Sequence, residues 1–292
     1  MDGYLVVAAS VIVSGVLVGT IYAVVASGLS LIHGTILMPQ ASNGQIFLGA
    51  GLVLWWLQTQ AGWPLWLAVP AVIAAGLALV FSLELLVFRR FYARADRSIT
   101  YLVVTLGLAQ MLSGLYIGAF GRISDTFSVP PPARGYAFID PTPVSNARLL
   151  AFTAAATVLC ALIAFLRLHR FGRALRAVFQ NRDVARLRGI DIISTYRLAL
   201  GLGTAVTTVG GMLYAVAFTL DLTVGWTMTL ITFSIMIVGG PGSVLGALCV
   251  GLVFGFTQAI VSVFADPTIA TFAYLLAMLA MLFLRPNGLF SR

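Results

Sequence analysis

Residues 5–32 read LVVAASVIVSGVLVGTIYAVVASGLSLI, a run without one charged side chain. Crossing a bilayer as a helix takes roughly 20 mostly apolar residues, because each adds only about 1.5 Å along the axis. This run exceeds that length. Only Asp2 precedes it as a charged residue, whereas a secretory signal opens with basic residues and has a shorter apolar core. The segment is therefore expected to be a retained first membrane helix. Working outward, similar stretches fall at 36–58, 64–88, 99–120, 148–166, 198–219, 225–240, 243–264 and 269–284. The stretch at 225–240 is short, so counts of eight and of nine both fit the sequence, and the expected fold is all-α: a polytopic membrane helix bundle of about eight spans, forming one transmembrane domain over residues 1–292. Between 33 and 45 the sequence HGTILMPQASNGQ is polar for a span and holds Pro39. A helix break is expected there, since proline lacks the N–H that an interior position must donate.

Composition agrees. Of 292 residues, 60% are hydrophobic and 9% charged, and the mean hydropathy is +1.03. A soluble domain carries roughly a quarter charged residues, so most of this surface must face lipid. The net charge of +8 does not point to nucleic acid. Every basic residue is arginine, and most of them sit in short loops between apolar runs, as the positive-inside rule produces. Loop 89–98 holds Arg89, Arg90, Arg94 and Arg97, loop 167–197 holds eight more, and Arg285 and Arg292 follow the last span. These are fourteen of the seventeen arginines, and they mark the cytoplasmic side. Alternation then puts the N-terminus outside and the C-terminus inside. The external segment, about 121–147, contains Pro130, Pro131, Pro132, Pro141 and Pro143, and reads equally as a rigid connector or a docking surface for an external partner.

Small residues recur at helical spacing. Gly15/Gly19, Gly114/Gly118, Gly242/Gly246 and Gly251/Gly255 each place two glycines one turn apart on a helix face, which favours close helix crossing. Phe47-Leu48-Gly49-Ala50 is echoed by Val244-Leu245-Gly246-Ala247, each after a glycine- or proline-containing break. Paired breaks of this kind can mark a transporter's substrate site. Cys160 and Cys249 lie in apolar runs and read as packing residues, with no spacing for a metal or a disulfide framework.

Catalytic chemistry finds no foothold. The only histidines are His33 and His169, and neither HExxH nor GxSxG occurs. With no lysine in the chain, a GxxxxGK[ST] phosphate loop is impossible, so any ATP drive must come from another chain. Ion coupling commonly uses an acid within the membrane. Glu84 is the one candidate, expected to pair with Arg89 or Arg90 at the interface. An ion-coupled secondary transporter of a small solute therefore stands as the alternative to an ATP-driven one, and sodium sites built from carbonyls and hydroxyls keep it open.

Loop 167–197 is the most informative. From Phe171 to Arg188 it has no proline, and Phe171, Leu175 and Val178 form a stripe with Arg173 and Arg176 off it, predicting an amphipathic helix along the inner membrane surface. Next comes Asn181-Arg182-Asp183-Val184-Ala185-Arg186-Leu187-Arg188-Gly189. Asp183-x-Ala185-xxx-Gly189 resembles the EAAxxxG loop of bacterial ABC import permeases, whose short coupling helix docks on an ATPase subunit. Three further segments widen the resemblance: Tyr22-Ala-x-x-Ala-x-Gly28-Leu-Ser-Leu-Ile, Phe171-Gly-Arg-Ala-Leu-Arg-Ala-Val, and Gly239-Gly-Pro-Gly-Ser-Val-Leu-Gly-Ala247, with Leu284-Arg-Pro-Asn-Gly-Leu-Phe290 at the end. In this order they are similar to the first of the two permease types of the branched-chain amino acid ABC importer family.

The resemblance implies a multi-pass permease of the bacterial cytoplasmic membrane, no enzyme and no cofactor. Its partners would be a second permease, two cytoplasmic ATPase subunits and an external solute-binding protein. It implies ATPase coupling through Arg182, Asp183, Ala185, Arg186 and Gly189, with Ala185 allowing close docking and Gly189 ending the helix. Where the family reads NFAHGE or NMAHGE after the first span, this chain has Gln40-Ala41-Ser42-Asn43-Gly44-Gln45. Gln40, Asn43 and Gln45 are candidates either for the translocation pathway or for hydrogen bonds between helices. Two titratable groups have become neutral amides there, so the cargo is a branched-chain amino acid or a related small solute.

Overall fold

The computed structural model describes residues 2–86, 97–132, 135–139, 142–264, 267–284 and 288–290. Its helices are α1 (Asp2–Ile36), α2 (Asn43–Thr59), α3 (Leu65–Leu86), α4 (Arg97–Phe120), α5 (Asn146–Leu168), α6 (Arg170–Gln180), α7 (Arg182–Leu187), α8 (Ile192–Ala217), α9 (Val224–Gly239), α10 (Val244–Phe264) and α11 (Pro267–Leu284). Six are long and apolar enough to cross a membrane, in α1, α3, α4, α5, α8 and α10. Val224–Gly239 and Ile269–Leu284 are shorter apolar helices. The bundle is thus that of a multi-pass membrane protein. Four short strands qualify the all-α expectation: β1 (Thr126–Phe127), β2 (Tyr136–Ile139), β3 (Thr142–Ser145) and β4 (Leu220–Asp221). The proline-rich segment pairs with itself through β2 and β3 and with the end of α8 through β1 and β4, both antiparallel.

α1 and α8 are the centre. The most apolar window of α8 is 72% buried, against 17% for α3, so α8 is surrounded by protein and α3 is edged by lipid. α1 crosses α10 through two of the glycine pairs. A Cβ at Gly19 would lie 2.8 Å from Leu252 Cα, and one at Gly251 would lie 2.8 Å from Ala23 Cα. Gly255 faces the backbone of Gly15 and Gly19 directly. Only glycine admits such approach, and in a bilayer it is dispersion between close backbones that holds helices together. Gly246 packs on Gly239 in the same way, whereas a Cβ at Gly114 or Gly118 would meet nothing within 4 Å among the described residues. Both cysteines lie exposed on the chain's surface rather than packed inside it.

The expected break is present and shorter than the polar stretch that signalled it. α1 runs on through His33 to Ile36, Leu37 turns with φ +57°, and α2 begins at Asn43. The Ala41 N–H donates to Thr105 Oγ1 at 3.2 Å, which anchors the break to α4. Glu84 is 3% exposed and accepts from Arg197 Nε at 3.2 Å, joining α3 to α8. The expected partners Arg89 and Arg90 fall outside the described residues, together with Arg94, Arg285 and Arg292. An arginine one helix away thus partners this carboxylate.

Replacing Gly19 by leucine is expected to destabilise the purified chain by about 1–3 kcal/mol or more through overpacking. Gly118→Leu, on an open face, should change stability by less than about 0.5 kcal/mol. Thermal unfolding of both variants in detergent checks the contrast.

Candidate coupling surface and polar cleft

The arginine-rich loop folds as two helices rather than one. Asn181 breaks the run with an extended backbone and caps α7, its Oδ1 accepting from the N–H groups of Asp183 at 3.0 Å and Val184 at 3.1 Å. An asparagine at this position satisfies donors that the first turn leaves orphaned. α7 ends in a pair of closing bonds, Gly189 N–H to Arg186 O at 3.0 Å and Ile190 N–H to Ala185 O at 3.1 Å. Gly189 takes φ +78° with open space around it, so here the glycine ends the helix, as the sequence suggested.

The two helices lie on the chain's own bundle. In α6 Gly172, Leu175 and Val178 are buried, while Phe171 is 43% exposed. Arg173 and Arg176 turn back to the carbonyls of Leu168 and Arg167, where cations favour the C-terminal end of α5. In α7 Ala185 is 3% exposed and packs with Ile32, Ile36, Met38, Tyr196 and Leu200. Its small side chain thus serves close packing inside this chain. Arg182 also turns inward, donating from Nη2 to Ile36 O at 2.6 Å with its guanidinium 5.5 Å from the Tyr196 ring centroid. The face left outward carries Asp183, Val184, Arg186, Leu187, Arg188 and Gly189. Val184 is 51% exposed and Leu187 87% exposed, an apolar knob ringed by arginines that reading the motif alone did not single out.

Gln40, Asn43 and Gln45 are buried in the middle of the bundle, with exposures of 0%, 1% and 0%. Asn43 Oδ1 accepts from Thr207 Oγ1 at 2.8 Å, an interhelical bond to α8. Its Nδ2, and both amide atoms of Gln40 and of Gln45, have no hydrogen-bond partner among the described residues. The Gln45 amide lies against the first turn of α9, where a Cβ at Gly225 would be 2.8 Å from its Oε1.

That first turn also forms the wall of a cavity of about 360 Å³, to which Asp221 of β4 contributes. Its polar lining includes Tyr22, Tyr214, Asp221, Thr223, Thr227 and Gln258. Asp221 holds the wall in shape, accepting from the N–H groups of Thr223 at 2.7 Å and Val224 at 3.0 Å as well as from the Thr223 hydroxyl. Apart from Tyr22, which opens one of the family-like segments, none of these residues stood out in the sequence. They come from four helices and a strand, and their only sequence signal is an isolated polar residue inside an apolar run, as at Gln258.

Residues 11–284 match the family described as branched-chain amino acid transport system, permease component. The chain belongs to this family. It is 24% identical to the high-affinity branched-chain amino acid transport system permease protein LivH of Escherichia coli K12, an alignment covering 96% of this chain and 94% of LivH. It is also 24% identical to BraD, the corresponding permease of Pseudomonas aeruginosa, over 96% of this chain and 95% of BraD. PsaBC from Streptococcus pneumoniae in complex with Fab shares the fold, with a TM-score of 0.50 at 13% identity over 94% of this chain and 91% of the PsaBC chain. The chain is an ABC-transporter permease subunit, not an enzyme, and ATP hydrolysis belongs to separate subunits. The pairing of Glu84 with Arg197 fits that assignment, since it occupies the one acid an ion-coupled carrier would have used.

Asn181→Ala should cost about 1 kcal/mol in local stability by removing the cap of α7, and Asn181→Asp should restore most of it. Amide hydrogen exchange across residues 182–188 reads both.

Proposed function

We propose that this chain is the membrane permease of a bacterial importer for a branched-chain amino acid or a related small polar solute. The cargo enters by the cleft at Asp221 and Tyr22 and leaves beside α6 and α7. One observation carries the reading: cleft, buried amides and outward apolar knob lie in sequence along one bundle. The cleft meets the first turn of α9, Gln45 backs that turn, and the break that precedes Gln45 is bonded to α7. Buried amide groups without partners cost about 1–3 kcal/mol each. A bundle that opens to admit a polar solute has a reason to keep them, because the passing solute supplies the missing hydrogen bonds. Neutral Gln40, Asn43 and Gln45 suit a pathway that must also release its cargo.

The domain is single over residues 1–292, and nine apolar helices alternate across the bacterial cytoplasmic membrane, α2 starting from within. An odd number puts the N-terminus outside and the C-terminus inside, with α6 and α7 in the cytoplasm on the arginine-rich side. Two cytoplasmic ATPase subunits, a second permease that is a different chain, and an external solute-binding protein complete the importer. The ATPase contact falls on Val184, Leu187, Arg186, Asp183 and Gly189, where an apolar knob would fill a cleft and arginines would meet acidic groups. Ala185 and Arg182 belong to the same coupling unit from its inner side.

The test is reconstitution with the ATPase subunits and the second permease. ATP hydrolysis that rises on adding the external binding protein is expected for the parent. Leu187→Glu should lower ATPase binding by about tenfold or more, as for a residue at the centre of an interface. A chain that recruits no ATPase, yet moves leucine by itself under a sodium gradient, would sink the proposal.

A further inference from the structure

We propose that Phe179 and Arg182 are the positioning residues that carry movement of α6 and α7 into the bundle, Arg182 holding the end of α1 that leads into α2 and Phe179 the turn that follows α9, the two helices that meet at Gln45. The inference rests on the reading of α6 and α7 as the coupling unit and adds the route inward.

Phe179 sits half-buried near the end of α6. A Cβ at Gly242 would lie 2.7 Å from its Cε2, and one at Gly34 would lie 3.4 Å from its Cδ2. The ring therefore covers the point where the end of α1 touches the turn between α9 and α10. Gly242 holds φ +79° in that turn, a conformation that disfavours any side chain, so the seat for the ring is built of bare backbone. The turn is closed from its far side by Leu289 and Phe290, whose N–H groups donate to Val238 O at 2.9 Å and Gly239 O at 3.2 Å.

Three residues after Phe179, Arg182 reaches past Tyr196 to the carbonyl of Ile36. Ile36 is the last residue of α1, and its carbonyl is among the four that a helix end cannot satisfy internally. The next residue, Leu37, is the only non-glycine at positive φ among the described residues. A leucine is strained there, and strain of this kind persists where neighbours over-determine it. The bond from α7 is one of those constraints. From Leu37 the chain passes the Thr105 anchor and enters α2 at Asn43 and Gln45.

The two grips converge. Arg182 acts through Ile36 and the break on α2, and Phe179 acts through the turn on α9. α2 and α9 meet where Gly44 packs on Thr229 and Gln45 packs on Gly225, directly behind the cleft wall at Val224 and Thr227. A shift of α6 and α7 against the bundle thus moves both sides of one contact, the one that closes the base of the cleft. Packed interfaces of this kind switch between discrete arrangements rather than deform smoothly.

The test uses the assembled importer in proteoliposomes, with Cys160 and Cys249 replaced by serine and Thr227→Cys as the reporter in the cleft. The labelling rate of that cysteine by a water-soluble maleimide is compared before and after trapping the ATPase with ATP and vanadate. The parent should show a change on trapping. Phe179→Ala should shrink that change by at least about fivefold, the lower end of allosteric couplings, while ATP hydrolysis persists, and Arg182→Met should shrink it as far. Phe179→Tyr and Arg182→Lys should restore it, which separates a lost grip from a misfolded chain. Phe179→Ala and Arg182→Met variants that keep the full change overturn the inference and leave the importer reading intact. Variants that lose hydrolysis together with the change, without rescue by the conservative pair, assign the residues to structure and overturn it too. A parent that shows no ATP-linked change overturns the coupling reading and this inference with it.

Discussion

Between Gly19 and Gly255 the backbones of α1 and α10 approach until no side chain fits between them. Lipid offers apolar side chains nearly what a protein interior offers, so helices in a bilayer gain little from hiding leucine. What they gain from is atomic contact that lipid tails cannot match, and bare backbone provides the most. Fixing α1 against α10 sets the position of everything attached to α1. Gly28 lies over Gly203 and Thr207 of α8, and Gly34 lies over Gly242 at the far turn. A helix clamped along its whole length does not bend, so the chain changes direction by a break at Leu37.

The break resolves a conflict between two demands. A membrane span must satisfy its own backbone hydrogen bonds, yet this bundle also buries the amides of Gln40, Asn43 and Gln45. Ending α1 at Ile36 and restarting at Asn43 leaves unpaired groups, which are met from elsewhere in the fold: Arg182 takes the Ile36 carbonyl, and Thr105 takes the Ala41 N–H. α9 solves the matching problem at its start with Asp221, which accepts from two backbone donors of the first turn. The polar interior therefore depends on tethers from α4, α7 and the β4 strand as much as on α2.

What the sequence disclosed follows from which signals are local. Most helix ends were legible to within a few residues, because twenty apolar residues in a row have few other destinations, whereas α2 starts at Asn43 rather than 36 and α8 at Ile192 rather than 198. The break was legible from Pro39 and its polar neighbours, though His33 to Ile36 stayed helical because their backbone still finds partners within α1. Gly189 was legible as a helix end, since the αL conformation is a property of one residue. The division of α6 from α7 was not foreseen: Asn181 is an ordinary helix residue until its side chain turns to cap, and that choice is made by packing. The inward turn of Ala185 and the pairing of Glu84 with Arg197 likewise depend on which helices are neighbours. The cleft was least visible, its lining being drawn from positions between Tyr22 and Gln258 that share no spacing.

The closure of the α9–α10 turn by Leu289 and Phe290 bears on how the protein is made. The ring of Phe179 needs that turn as its seat, yet residue 179 leaves the ribosome long before residue 290. During synthesis α6 must wait for its seat, and the face that carries α6 and α7 acquires its final shape only once Leu289 and Phe290 have bonded to the end of α9. A partner that recognises that finished face would thereby pass over permeases still being inserted.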